Sequence, residues 1–333
     1  MNFKRTWIIA AVAAVGVVVS GCQPPAEGGS TAGGGSVANS GKRYKIGVSI
    51  PAADHGWTAG VGYWAKEASK AFPNVDWVIE DAKDANEQIT DLENLKNQNV
   101  DAMVILATES APITGTAEKL HDAGILIVNV DRGFTKPVAD VFIEGDNKAF
   151  GRKSAEFMVD KLNKTGNIVI LRGVSCTVDD DRVAAAMEVF KANPGIKVVA
   201  TERGEWNREK ADKAMQNILT ANPKIDAVWA ADDDMALGAE TAIKAAGRDK
   251  SMWILGGAGM KDIVKRVMDK DAMYPADITY PPSMIAIGMQ NAVGMLMAGK
   301  DVSKQYMARH MMIDVQLITP DNAKDFYFEK SVY

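Results

Sequence analysis

Short apolar runs alternating with amphipathic helical stretches constrain the fold of this chain more than any other feature. "YKIGVSI", "VDWVIED", "DAMVILAT" and "ILIVNVD" are such runs. The third is apolar almost throughout, as a strand covered on both faces must be. Between them, residues 60–72, 85–98 and 112–123 carry apolar positions at helical spacing, most clearly Ile89, Leu92 and Leu95, and Gly124 stops the third stretch. Strand–helix alternation of this kind predicts an α/β fold, with parallel strands and helices packed on their faces.

The rhythm is interrupted at "EGDNKAFG", residues 144–151, and then restarts. Helical patterns at 150–162, 182–191, 208–220, 235–246 and 261–269 separate the runs "NIVILRG", "IKVVATE", "IDAVWAAD", "MWILGGA" and "PADIT". An apolar helix at 284–297 and a strand "RHMMIDVQLIT" follow. About 290 residues of this grammar exceed what one core holds, so two doubly wound lobes are expected. The expected division is 43–145 with 281–309 for the N-lobe, and 146–280 with 310–333 for the C-lobe. Chain crossings are expected near 145–146, 280–281 and 309–310. Met284, Met289, Met295 and Met297 fit packing against a sheet better than a metal-binding stripe.

The first 42 residues follow different rules. Lys4 and Arg5 precede an apolar stretch at 8–19, which reads as a secretory signal and is short for a membrane span. It ends in "VSGC", which resembles a bacterial lipobox and makes Cys22 the expected lipid-bearing residue; a plain signal with a chance cysteine is the alternative. Acyl chains would hold the protein on a membrane surface without spanning it. Residues 23–42 are rich in Gly, Ser and Pro and read as a tether with a reach of roughly 25 Å. The expected place is therefore extracytoplasmic. With 38 Lys+Arg against 43 Asp+Glu and a net charge of −5, nucleic acid is a poor candidate partner. With Cys22 assigned to lipid, Cys176 stands alone and no internal disulfide is expected. The histidines at 55, 121 and 310 are too far apart in sequence for a zinc motif.

In open parallel sheets, ligands bind beyond the carboxyl ends of the strands. The residues that follow the runs here are Asp54, His55 and Trp57; Asp131 and Arg132; Asp179, Asp180, Asp181 and Arg182; Trp206; Asp232, Asp233 and Asp234; and Tyr280. Arginine forks and carboxylates make directional bonds to hydroxyl groups, and aromatic planes cover the C–H face of a sugar ring. Each group also has a plainer reading. Asp131 and Arg132 could form a surface pair, and Trp206 could be core. His55 could be structural. Asp232–Asp234 could cap the next helix, with Asp234 the best candidate. "GGAGM" lies between a strand and a helix but lacks the Gly-x-Gly-x-x-Gly spacing of a phosphate loop.

The stretch "MQNILTANPKIDAVWAADDDMALGAETAIKAAG", with "VNVDRG", "DDDRVAAAMEVFKANPGIKVV" and "GEWNREKA", resembles the ribose- and galactose-type sugar-binding proteins of bacterial ABC importers. The likeness runs in register from about residue 45 to 297. It implies two α/β lobes joined by three crossing segments, with a sugar between them and no cofactor, metal or catalysis. Matched position by position, Trp57 stands at a ring-stacking aromatic, Asp131 and Arg132 at a hydroxyl clamp, Arg182 at an arginine of the second lobe and Trp206 at the opposing aromatic. Asp232 stands where many members have Asn, and Tyr280 where the ribose type has Gln. His55 replaces a frequent Asn, and Ala258 a frequent Asp, so the ligand is not expected to be held as ribose is. The implied partners are a monosaccharide or polyol and a membrane permease, and the implied state is a monomer. A sensory protein of the same fold and a glycoside-acting enzyme using Asp131 and Asp232 remain as alternatives. The neighbouring arginines are expected to keep both carboxylates ionised.

Overall fold

The computed structural model describes residues 43–299 and 307–333. The expected signal segment, Cys22 and the tether lie outside the described residues.

Five strands from the first part of the chain build one parallel sheet: β1 (Tyr44–Pro51), β2 (Val75–Ala82), β3 (Ala102–Ile105), β4 (Leu126–Val130) and β5 (Val141–Gly145). β11 (His310–Ile313) joins beside β5, giving the order β11-β5-β4-β3-β1-β2. A second parallel sheet has the order β7-β6-β8-β9, from β6 (Gly166–Arg172), β7 (Ile196–Arg203), β8 (Ala227–Ala230) and β9 (Trp253–Leu255). A short antiparallel pair, β10 (Asp277–Ile278) with β12 (Leu317–Ile318), completes the described strands.

The helices are α1 (Gly56–Lys70), α2 (Ala85–Asn97), α3 (Ser110–Asp122), α4 (Asn147–Lys161), α5 (Thr177–Ala192), α6 (Arg208–Ala221), α7 (Asp233–Ala245), α8 (Lys261–Met268) and α9 (Met284–Ala298). Carboxylate and amide side chains start several of them by accepting otherwise unpaired backbone N–H groups: Asp84 for α2, Asp146 for α4, Asn207 for α6 and Asp232 for α7. α9 returns to the larger sheet. Its Gly288 lies so close to Val130 that a Cβ there would come within 2.5 Å of a valine methyl. Met284, Met289 and Met295 are buried in that packing, while Met297 is exposed. The two sheets with their helices are two lobes of an α/β fold.

Five helices, α3 and α4 among them, begin earlier than the sequence suggests, and at the other three the difference matters at the site. α1 starts at Gly56 rather than 60, α5 at Thr177 rather than 182, and α7 at Asp233 rather than 235. Acidic side chains in the first turns of α5 and α7 suit the positive end of a helix dipole. Arg182 therefore lies in the second turn of α5 and not at its start. The strand expected over residues 309–319 is two strands that serve different sheets. His310–Ile313 pairs with β5 in the larger sheet, so it does not go with the second lobe. The third crossing falls at 314–316 instead of 309–310, because Ile313 is still in register with Gly145. The other two connections between the sheets leave β5 after Gly145 and enter α9 at Met284. All three run close together: Asp146 N donates to Ile313 O (2.9 Å) and Thr279 N to Gln316 O (2.9 Å).

Candidate functional site

The carboxyl ends of both sheets face one narrow, partly open cavity, placed where ligands bind in sheets of this kind. His55, Trp57, Asp131 and Arg132 line it from the first lobe. Val178, Arg182, Trp206, Asp232 and Ala258 line it from the second, and Tyr280 from a crossing segment.

On the first lobe, Asp131 leaves β4 with φ of 65°, a left-handed conformation that costs energy in a residue with a Cβ. Its N–H is held by Ile143 O (2.7 Å), and its Oδ1 accepts from the Tyr280 hydroxyl at 2.5 Å. Arg132 turns back and donates through Nη1 to Thr108 O (2.7 Å) and Ala107 O (3.3 Å), with Nε 3.8 Å from Asp131 Oδ2. These bonds fix the guanidinium while Nη2 stays available.

On the second lobe, Arg182 donates from Nε to Asn147 Oδ1 (3.0 Å) and from Nη1 to Ala231 O (2.7 Å). Its guanidinium lies 3.8 Å over Phe150 and 4.2 Å over Tyr280, with Trp206 at 5.6 Å. A planar cation between rings is held by cation–π attraction as well as by hydrogen bonds. Asp232 is the N-cap of α7: Oδ1 accepts from Met235 N at 2.8 Å, and Oδ2 is free to bond a ligand. The sequence favours Asp234 as that cap. Asp234 instead accepts from Gly56 N (2.8 Å) of the first lobe and pairs with Arg208 (2.8 Å). Asp233 accepts from Gly257 N (2.9 Å) and Met260 N (2.8 Å), so "GGAGM" wraps a carboxylate of its own chain.

The aromatic residues are placed by close backbone approach. Trp57 sits in the first turn of α1 and donates Nε1–H to Tyr280 O (2.9 Å), with ring centroids 5.9 Å apart. A Cβ on Gly145 would come 2.1 Å from Tyr280 Cε2, and one on Gly173 would come 1.9 Å from Trp206 Cζ2. Only glycine lets those rings lie where they do. Trp206 (φ 60°) and Ala258 (φ 126°) share with Asp131 a backbone region that non-glycine residues rarely adopt, so strain gathers at the cavity.

Burial, and not the neighbouring arginines, sets the direction in which the carboxyls of the site shift. Burial pushes Asp131 above its ordinary value against the charge of Arg132, and pushes Asp232 well above it with help from Asp234. Desolvation outweighs the arginines at both carboxylates. Burial and the Asp131 charge likewise hold the Tyr280 phenol well above its usual range. Asp54 differs: burial works to raise it, yet the hydrogen bond and charge of His55 leave it lowered.

Of the residues the sequence singled out, His55, Trp57, Asp131, Arg132, Arg182, Trp206, Asp232 and Tyr280 meet in the cavity. Asp54 does not line it; the side chain is 62% exposed and braces His55 Nδ1 at 2.5 Å. Asn147 was missed. It joins Arg182 Nε to the Tyr280 hydroxyl, donating to the latter at 3.2 Å. Its only signal was its place at the head of the helix after the seam. Val178 also lines the cavity and carried no polar signal at all. Among the described residues, no group of three His, Cys, Asp or Glu side chains could hold a metal. No described helix is long and apolar enough to cross a membrane.

Residues 46–301 match the model of a family described as a periplasmic binding protein domain. The chain belongs to this family. Its members bind solutes, and the family implies an extracytoplasmic location. Among curated periplasmic binding proteins, the chain is 30% identical over 270 residues to the ribose import binding protein of Bacillus subtilis, covering 80% of this chain and 86% of the relative. Among solved periplasmic binding proteins, it is similar to an ABC transporter solute-binding protein from Mycobacterium smegmatis with bound glycerol. That match has a TM-score of 0.80 and 26% identity, and covers 87% of this chain and 99% of the other. A fructose-binding periplasmic domain of a hybrid two-component system aligns with a TM-score of 0.78 and 27% identity over 85% of this chain and 93% of the other.

Proposed function

We propose that this protein captures a neutral sugar or polyol between its lobes and delivers it to an ABC transporter permease, without altering the ligand's covalent bonds. The supporting observation is the cavity itself: Arg132 with Asp131 on one wall, Arg182 with Asp232 on the other, and three aromatic rings between them. A hydroxyl both donates and accepts, so one ligand hydroxyl can join an arginine to a carboxylate. Each such bond contributes on the order of 1.5–3 kcal/mol, and a few with ring packing reach about −8 kcal/mol, the micromolar range. The relatives named above bind ribose, glycerol and fructose by their descriptions, which supports this class of ligand. Ala258 stands where relatives of the ribose type often have a carboxylate, so the ligand is not held as ribose is in those proteins.

The ligand bonds both lobes at once, so its binding favours closure about the crossings at residue 146, at 279–283 and at 314–316. The lobes are proposed to be 43–145 with 281–313, and 146–280 with 314–333. We place the protein outside the cytoplasm as a monomer, anchored through lipid on Cys22; replacing Cys22 by Ala should release it from the membrane fraction. The fructose-binding domain supports a second reading, in which the same cavity reports a sugar to a signalling partner. Transport by vesicles carrying the cognate permease separates the two readings. A thermal-shift and calorimetric panel of pentoses, hexoses, glycerol, xylitol and myo-inositol tests the first. Ligand at 100 times its dissociation constant should add about 2.7 kcal/mol of stability. A panel without a binder, or turnover of matched glycosides, would count against it.

A further inference from the structure

Ala258 and Tyr280 line both the cavity and a second hollow of about 330 Å³, whose other walls include Trp64, Pro282 and Tyr333. Tyr333 stands there between elements of different lobes. Its segment is carried by the second lobe: Lys261, at the head of α8, donates to Ser331 O (3.0 Å), and Ser331 Oγ donates to Tyr333 O (2.5 Å). The 3-10 turn Ala323–Asp325 packs on α8. The ring, however, rests on the first lobe. A Cβ on Gly56 would come 3.0 Å from Tyr333 Cε2, and one on Gly60 would come 3.3 Å from Tyr333 Cβ. The same Gly56 position is 3.0 Å from Asp234 Oδ2, the atom that accepts the Gly56 N–H at 2.8 Å. The ring thus lies beside the hydrogen bond that ties the start of α1 to the start of α7. An N–H to carboxylate bond strengthens when water is kept away from it. The phenol oxygen is buried without a hydrogen-bond partner, so the ring and not the hydroxyl makes the contact.

We propose that Tyr333 is a positioning residue for capture: its ring wedges against Gly56 and Gly60 and shields the Gly56–Asp234 bond, and so sets how tightly the lobes close over the cavity. The inference rests on the capture-and-closure reading above. It is tested by hydrogen exchange on the full chain without added ligand, where protection at 56–60 reads the fraction of free molecules that hold the Gly56–Asp234 bond, so that a failed sugar panel and a failed wedge are told apart. In Tyr333→Ala, amides at 56–60 should exchange about tenfold faster, while those of β3 and β8 keep their wild-type protection. Tyr333→Phe, which keeps the ring, should restore slow exchange at 56–60. Exchange at 56–60 in Tyr333→Ala within about twofold of wild type would overturn the proposal. So would acceleration spread equally over β3 and β8, which would make Tyr333 a general stability residue, or a Tyr333→Phe protein that behaves like Tyr333→Ala.

Discussion

Arg182 shows how a single residue becomes a ligand group. Its position in the second turn of α5 aims the side chain across the cavity, and its bonds to Asn147 and Ala231 leave one guanidinium nitrogen free. Arg182→Ala removes that nitrogen and leaves the Asn147 side chain short of a donor. Sugar affinity should fall about 100-fold in calorimetry, consistent with 1.5–3 kcal/mol per charged hydrogen bond. Arg132→Ala should cost a similar factor. Unchanged affinity in both would remove the clamp. Gly145 and Gly173 make a subtler case. Gly145→Ala and Gly173→Ala would drive a methyl into Tyr280 and Trp206, so each should weaken sugar binding about tenfold or more by displacing a ring. Binding of wild-type strength in either variant would show that the rings can shift without consequence.

At the scale of elements, α7 and α8 are joined by a buried charge network away from the cavity. Glu240 on α7 accepts from Arg266 of α8 (2.6 and 2.8 Å) and from Tyr274 (3.0 Å), and pairs with Lys244 (2.7 Å). Burial works to raise the Glu240 carboxyl, but Arg266 and Lys244 bring it down to about 2 from an ordinary 4.5. A carboxyl lowered in the folded state adds stability above its unfolded value and loses it as pH falls through its folded value. Denaturant unfolding should therefore show wild type ahead of Glu240→Gln by about 1–2 kcal/mol at neutral pH, since solvent screens part of the shift. The gap should stay level down to about pH 4.5 and close toward pH 2. A gap independent of pH across that window would mean the network does not hold the carboxylate ionised. The same scale shows how element limits were misread. Periodicity located α1, α5 and α7 but started each late, because the residues of their first turns, Gly56–Trp57, Asp179–Asp180 and Asp233–Asp234, break the apolar spacing by which a helix is recognised.

For the whole molecule, the central expectation is closure. X-ray scattering with and without a saturating sugar should show a smaller radius of gyration when the sugar is present, and an unchanged radius would remove the hinge from the mechanism. The pH response of capture also belongs to this scale. Asp131 and Asp232 are pushed upward by burial, so they are protonated more readily than surface carboxylates as pH falls. A neutral carboxyl has lost acceptor capacity, so sugar affinity should drop on acidification from neutral pH. Calorimetry from pH 7.5 to 5 checks this, and a flat profile would mean that both carboxylates stay ionised or that neither meets the ligand.

By itself the sequence determined the α/β class, the order of its elements and the residue types at the strand ends, because these follow from local periodicity and from short-range turn and cap chemistry. Trp57, Asp131, Arg132, Arg182, Trp206, Asp232 and Tyr280 were legible as candidates since each follows an apolar run, where open parallel sheets bind their ligands. Tertiary structure alone decided which of them share a cavity, that Asp54 faces outward, that Asn147 links Arg182 to Tyr280, and that β11 returns to the first sheet. It also decided the direction in which the carboxyls of the site titrate. Those outcomes depend on contacts between residues far apart in the chain, such as Tyr280 with Asp131, and on desolvation, which has no value until the chain has closed around the group.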